Sequence, residues 1–206
     1  MNLSDRRYLR AKKASEFFLS KIRHTSETLK QVYDSEYWFL FGISYLEIMA
    51  IHDTLKDKNI ESVAEVGRYY GGSAYLFSCI FPQLKHILSI DKRKYECTDP
   101  LKDYFTHYNI ENQIITLDSN TYIPNKVFDL VLIDGAHTIK EVVKDIEIWK
   151  NNFKYICFHD YTDEIGRIGK KYLYDGLVPV IDNVAKKYGW KQIGKRARSE
   201  IVFETK

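Results

Sequence analysis

Residues 59–206 of this chain predict an α/β fold, a doubly wound and mostly parallel sheet that ends in an antiparallel hairpin, preceded by a helical extension over residues 1–58. Three observations carry this. Short apolar runs recur from Ser62 onward, and segments of helical periodicity lie between them. The last two extended runs have only Arg196 to Ser199 between them, too short a link for a crossover helix.

Taken in order, residues 1–58 read as helical in two pieces parted around Asp34 and Ser35, with aromatic faces that include Phe17, Phe18, Tyr37, Trp38, Phe39 and Phe41. Aromatic stripes are mostly core, so packing is the plain reading of these faces. The functional reading is a cover for the ligand edge of the sheet, or a contact between copies in a homo-oligomer.

The strands follow as SVAEVG (62–67), HILSID (86–91), QIITLD (113–118), FDLVLID (128–134) and YICFHD (155–160). Each is rich in Val, Ile, Leu or Phe without strict alternation, as expected of strands buried on both faces of a parallel sheet. The clearest helix has Ile139, Val142, Val143, Ile146 and Trp149 on its apolar stripe, with Thr138 placed to cap it. Lys140, Glu141, Lys144 and Asp145 lie off that stripe, and Asp145 and Glu147 read as a solvated face. Right-handed crossovers between such units wind the sheet both ways. WKQIGK (190–195) and EIVFET (200–205) form the closing hairpin, and the basic stretch KKYGWKQIGKRAR (186–198) reads as its solvated side.

Bulk properties narrow the function classes. With 31 Lys+Arg against 28 Asp+Glu the net charge is +3, too small to argue for a nucleic-acid surface. Cys79, Cys97 and Cys157 are odd in number and lack CxxC spacing, so they read as reduced core thiols of a cytoplasmic protein. No secretory signal is apparent at the N-terminus, and the longest apolar cluster, Tyr37 to Ala50, is interrupted by Ser44 and Glu47 and is too short to span a bilayer. No membrane association is expected.

The chemistry lies at the strand ends. Asp91, Asp118, Asp134 and Asp160 close four of the five predicted strands, and in an open α/β sheet ligands bind outside the carboxyl ends of the strands. The first strand runs into EVGRYYGGS (65–73), where Gly67, Gly71 and Gly72 permit a tight turn and close approach to a ligand. A dinucleotide fingerprint would need glycine where Tyr69 stands, which disfavours pyrophosphate and a dehydrogenase. Asp91, 24 residues after Gly67, is placed to bind ribose hydroxyls. Adenosine without a cradled pyrophosphate points to S-adenosylmethionine.

On these residues the chain resembles the class I S-adenosylmethionine-dependent methyltransferases. The resemblance rests on E-V-G-x-x-x-G-G-S, on Asp91, on L-D-S at 117–119 and on the terminal hairpin, and covers about residues 60–206. I-D-G-x-H (133–137), D-x-E-x-W (145–149) and F-H-D-Y (158–161) narrow it. These segments are similar to the small-molecule and sugar O-methyltransferase group that includes macrocin O-methyltransferase and the cephalosporin-hydroxylase-like proteins. The resemblance implies a Rossmann-like, seven-stranded methyltransferase sheet. It implies that Glu65 and Gly67 line the methionine part of the cofactor, with Arg68, Tyr69, Gly71 and Ser73 in the same turn. Asp91, with Lys92 beside it, would hold the ribose, and Asp118 and Ser119 the adenine. It further implies that Asp134 touches the cofactor and ligates a divalent metal, Mg²⁺ or Mn²⁺, that His137 is the general base, and that His159 and Asp160 complete the metal set.

Methyl transfer from a sulfonium to oxygen is an in-line displacement that needs positioning and a base for the hydroxyl proton. A neutral imidazole suits that role near neutral pH. The chain departs from the family pattern in three places: NNFKY (151–155) replaces a Pro-Gly-Gly turn, Lys140 stands where relatives carry Glu, and His159 replaces a carboxylate. A mixed His and Asp set suits Mn²⁺ better than Mg²⁺. The expected function is methylation of a hydroxyl on a sugar or other small molecule. Two alternatives stay open: a non-catalytic adenosyl-cofactor-binding module, and an RNA-directed methyltransferase using the basic hairpin and the N-terminal RRYLRAKK.

Overall fold

The computed structural model describes residues 3–35, 41–135, 138–161, 166–168, 171–174, 176–197 and 200–205. Three helices come first, α1 (Leu3–Leu19), α2 (Leu29–Tyr33) and α3 (Tyr45–Leu55). The alternating part is β1 (Ser62–Val66), α4 (Gly72–Ile80), β2 (His86–Asp91), α5 (Thr98–His107), β3 (Glu111–Thr116), β4 (Phe128–Ile133), α6 (Ile139–Trp149) and β5 (Phe153–Phe158). A short hairpin, β6 (Gly166–Ile168) and β7 (Lys171–Tyr174), precedes α7 (Val178–Tyr188), β8 (Lys191–Ala197) and β9 (Glu200–Glu204).

The main sheet has seven strands in the order β3-β2-β1-β4-β5-β9-β8. Its first five strands are parallel, and β9 pairs antiparallel with both β5 and β8. The doubly wound sheet and its closing hairpin are those the sequence predicts. The chain runs outward from β1 to β3 and then returns to β4 on the other side of β1. This places the topological switch point, where such sheets bind ligands, between β1 and β4.

Alternate strand residues feed two separate cores, which explains the unbroken apolar runs. Val63, Ile87, Leu130, Leu132 and Cys157 join the layer that holds α4 and α5, while Ala64, Val66, Leu88, Ile90, Val131 and Ile133 join the layer under α6 and α7. Phe18, Leu29, Ile48, Ile51 and Leu55 of the N-terminal helices belong to the first of these cores, together with Tyr75, Phe77 and Tyr104. The Arg23 guanidinium strengthens that join by donating to the Ser78 carbonyl near the end of α4. Cys79, Cys97 and Cys157 are buried thiols, none of them in a disulfide. No described helix is long and apolar enough to cross a membrane.

The structure departs from the expectations in three places. Among its described residues the N-terminal segment forms three helices rather than two pieces, because α1 already stops at Leu19 and Lys21 takes a left-handed backbone (φ 54°). Tyr37, Trp38 and Phe39 lie outside the described residues. The third and fifth strands start and end two residues earlier than expected, since pairing stops at Asp91 with Thr116 and at Ile133 with Phe158. Asp118 and Asp160 therefore sit in the loops just beyond the strands, where they can turn towards a ligand. The β6–β7 hairpin was not foreseen, because three- and four-residue strands are too short to show a period.

Candidate functional site

The turn after β1 is built by residues that look structural one by one. Gly67 has φ +98°, and a Cβ there would stand 2.0 Å from the Asp134 carbonyl oxygen, so this turn lies directly on the end of β4. Gly67 N–H donates to the Ile90 carbonyl and Asp134 N–H to the Val66 carbonyl, which lock the ends of β1, β2 and β4 together. Behind the turn, Glu65 is fully buried and its carboxylate accepts Ser73 Oγ–H and Ser89 Oγ–H, each at 2.5 Å. Burial pushes its pKa up to about 7, against the opposing pull of the two hydroxyls. The Arg68 side chain is buried rather than displayed: its guanidinium donates to the carbonyls of Ser89, Ile115 and Arg93. Gly71, also in the left-handed region (φ +87°), caps α4, and a Cβ there would collide with Leu101.

Beside this turn a crevice of about 90 Å³ opens at the switch point, lined by Gly67, Asp91, Lys92, Asp118, Ser119 and Gly135 among others. Two backbone donors hold the Asp91 carboxylate in place, Tyr69 N–H on Oδ2 and Arg93 N–H on Oδ1, both at 2.8 Å. Tyr69 reaches that position through a left-handed backbone (φ 51°), unusual for a residue with a side chain. On the far side Asp118 Oδ1 accepts both the backbone and side-chain N–H groups of Asn120. Asn120 Nδ2 also donates to Glu141 Oε2, while Asn120 Oδ1 is buried with no hydrogen-bond partner among the described residues. A buried orphan acceptor beside a crevice is costly unless a ligand donor reaches it. These groups suit adenosine: a fixed carboxylate for vicinal hydroxyls, and an acceptor-rich edge for an exocyclic amine.

Asp145 belongs to this crevice, and the sequence reading had placed it on a solvated face. It is 2% exposed, accepts Ser119 Oγ–H at 2.8 Å, and is pushed up to about 6 by burial. The signal was available. Val142, Asp145, Ile146 and Trp149 are the buried residues of α6, an i, i+3, i+4, i+7 set with a carboxylate in its second place, whereas Ile139 is exposed.

A second cluster lies across the end of β4. His159 Nδ1 stands 3.1 Å from Asp134 Oδ1 and 3.3 Å from Asp160 Oδ1, and one ligand atom from each of the three residues falls within 4.8 Å of the others. Asp160 is held there by a left-handed backbone (φ 58°). A nitrogen and two carboxylate oxygens at this spacing fit a Mn²⁺-like ion. His137 lies outside the described residues.

The N-terminal segment adds a residue that the sequence reading passed over. Glu47, 5% exposed, has Oε2 4.0 Å from His159 Nε2, and the same oxygen accepts Ser44 N–H at 2.8 Å in the capping box that opens α3. Between this segment and His159 is a cavity of about 430 Å³ walled by Tyr33, Phe41, Ile43 and Tyr45. S-x-x-E is readable as a helix start. Its place beside His159 depends on how α3 docks against β8 and β9.

No protein-family model matches this chain, and no curated protein is significantly similar to it. Solved structures are. A caffeoyl-CoA O-methyltransferase candidate from Staphylococcus aureus matches 95% of this chain and 99% of its own length with a TM-score of 0.64 and 16% identity. The sugar N-methyltransferase KedS8 from a Streptoalloteichus species matches 90% and 94% with a TM-score of 0.55 and 10% identity. The N-methyltransferase NodS from Bradyrhizobium japonicum, solved with S-adenosyl-L-homocysteine, matches 88% and 98% with a TM-score of 0.55 and 11% identity. At these identities the likeness is one of fold: this chain has the α/β fold found in those methyltransferases.

Proposed function

We propose that this chain is an S-adenosylmethionine-dependent methyltransferase that modifies a hydroxyl of a sugar or another small molecule. The observation that carries the reading is the contact of Gly67 with the end of β4, beside which lie the crevice lined by Asp91, Asp118 and Ser119 and the Asp134, His159 and Asp160 cluster. The methyltransferase fold and the I-D-G-x-H and F-H-D-Y segments support it, and the latter favour oxygen over nitrogen as acceptor.

When bound, the cofactor supplies an electrophilic methyl group on a sulfonium. Asp91 accepts the ribose hydroxyls, and Asp118, Ser119 and Asn120 hold the adenine edge. Gly67 lets the backbone approach the methionine part, with Glu65 buried behind it. Asp134, His159 and Asp160 orient the acceptor hydroxyl and draw off its proton, with His137 as the further base that the family resemblance implies. Were a divalent ion present, these three residues would hold it, and its charge would lower the pKa of the hydroxyl. Residues 1–58 act in this reading as the cover on the acceptor side.

Calorimetric titration with S-adenosylhomocysteine, with NADH as control, tests the cofactor assignment. Saturable binding of the first alone is expected, weakened at least about tenfold in Asp91→Ala by loss of the ribose contacts. Binding of neither ligand, or unaltered binding in the variant, contradicts it. Binding without methyl transfer to any hydroxylated acceptor, with Mn²⁺ supplied, would instead favour a non-catalytic module.

A further inference from the structure

The cavity between the N-terminal segment and His159 has a chemical character of its own. Tyr33 stands at the centre of its aromatic wall, its ring centroid 4.8 Å from that of Phe41 and 5.6 Å from that of Tyr45. The hydroxyl of Tyr33 donates to the Ile43 carbonyl at 2.9 Å, which fixes the wall to the loop it shields. Glu47 and His159 also line the cavity, and among the described residues its lining contains no lysine or arginine. Asp134 and Asp160 stand just behind His159, so three carboxylates surround one imidazole.

Aromatic faces beside a buried carboxylate attract a cation: the ring quadrupole favours an ammonium over its face, and the carboxylate accepts its hydrogen bonds. A phosphate or carboxylate in the same place would meet like charge in a partly desolvated site, where screening is weak. Capping α3 does not prevent Glu47 from doing this, since a carboxylate accepts several hydrogen bonds at once.

We infer that this cavity selects a ring compound carrying an ammonium group, with Glu47 as the residue that sets the charge preference and Tyr33, Phe41 and Tyr45 as the faces on which the compound packs. In its role as acceptor site the cavity rests on the methyltransferase reading, but charge selection is measurable without turnover. An acceptor so recognised is an amino sugar or an arylalkylamine, not a phosphorylated or acidic one.

The test uses three probes of matched shape, tyramine, para-hydroxyphenylacetate and para-ethylphenol, titrated into the full chain and followed by NMR or calorimetry. Tyramine is expected to bind about tenfold or more tightly than the acid, in line with one charge-assisted hydrogen bond. Glu47→Gln, which can still accept Ser44 N–H, should weaken tyramine about tenfold and leave para-ethylphenol within about twofold. Ser44→Ala disturbs the cap and keeps the charge, so it should retain the preference. Equal or tighter binding of the acid, an unchanged ratio in Glu47→Gln, or no binding of any of the three probes would each overturn the inference. S-adenosylhomocysteine titrated into the same samples separates the two readings. Charge selection without cofactor binding removes the methyltransferase and leaves the cavity's preference standing, and the converse removes only the preference.

Discussion

Glu65 is a carboxylate with no exposure to water, and its only described hydrogen-bond donors are the hydroxyls of Ser73 and Ser89. Its pKa is raised from 4.5 to about 7, so the folded chain holds a proton that the unfolded chain releases. Its contribution to stability is therefore fully present below pH 4.5, is lost as pH rises through about 7, and is constant above that. Glu65→Gln cannot ionise, and either serine can turn its hydroxyl to suit the amide. The melting temperature of the variant relative to wild type should rise by several degrees between pH 5 and pH 8, on the order of 3 kcal/mol at about 1.4 kcal/mol per pK unit. Calorimetric scans at the two pH values check this, and parallel behaviour would mean that water or another donor reaches the carboxylate. Arg68 and Asp145 teach the same lesson from two sides. Arg68 stands in the glycine motif, yet its guanidinium is taken up by backbone carbonyls; Asp145 reads as a surface acid, yet it borders the crevice. A charged residue's role depends on the partners that the fold brings to it, and those partners are distant in sequence.

Among the elements, the β1–α4 turn has the least tolerance. A methyl group on Gly67 would overlap the Asp134 carbonyl, and the φ of +98° is itself unfavourable for a side chain. Gly67→Ala should destabilise the chain by about 3 kcal/mol or more and abolish S-adenosylhomocysteine binding, as urea melts and titration would show. A variant that keeps both properties would mean that the turn and the end of β4 are less tightly apposed. Strand identity and order were legible from the apolar runs and the hairpin signal. Strand ends were not, because β3 lies at the sheet edge and the limits of β3 and β5 follow the reach of their parallel partners. The α6 stripe was legible as a helix and misjudged in phase. Taking Ile139 and Val143 as inward rotated the face enough to put Asp145 outside.

At the scale of the whole molecule, one apolar core runs from the N-terminal helices into the sheet. Phe17 meets Tyr75 edge-on at 4.9 Å, Arg23 holds the end of α4, and Gly194 of β8 gives Thr54 of α3 room to sit against the strand. A chain cut to residues 59–206 would expose the apolar side chains of α4 and α5 that these helices bury. It should lose cooperative thermal unfolding and aggregate, which circular dichroism and size-exclusion chromatography would reveal. A soluble, cooperatively folding fragment would show instead that the helices are an addition to a self-sufficient sheet.

The sequence by itself determined the doubly wound sheet, the tight glycine turn and the presence of acids at the strand ends. Each of these is written in short stretches of chain, as hydrophobic period, backbone freedom and residue type. Only the tertiary structure decided that α3 brings Glu47 to within 4.0 Å of His159, 112 positions further along, and that aromatic side chains line the cavity beside them. That contact depends on helix docking and on side-chain volumes across the shared core, which no local pattern encodes.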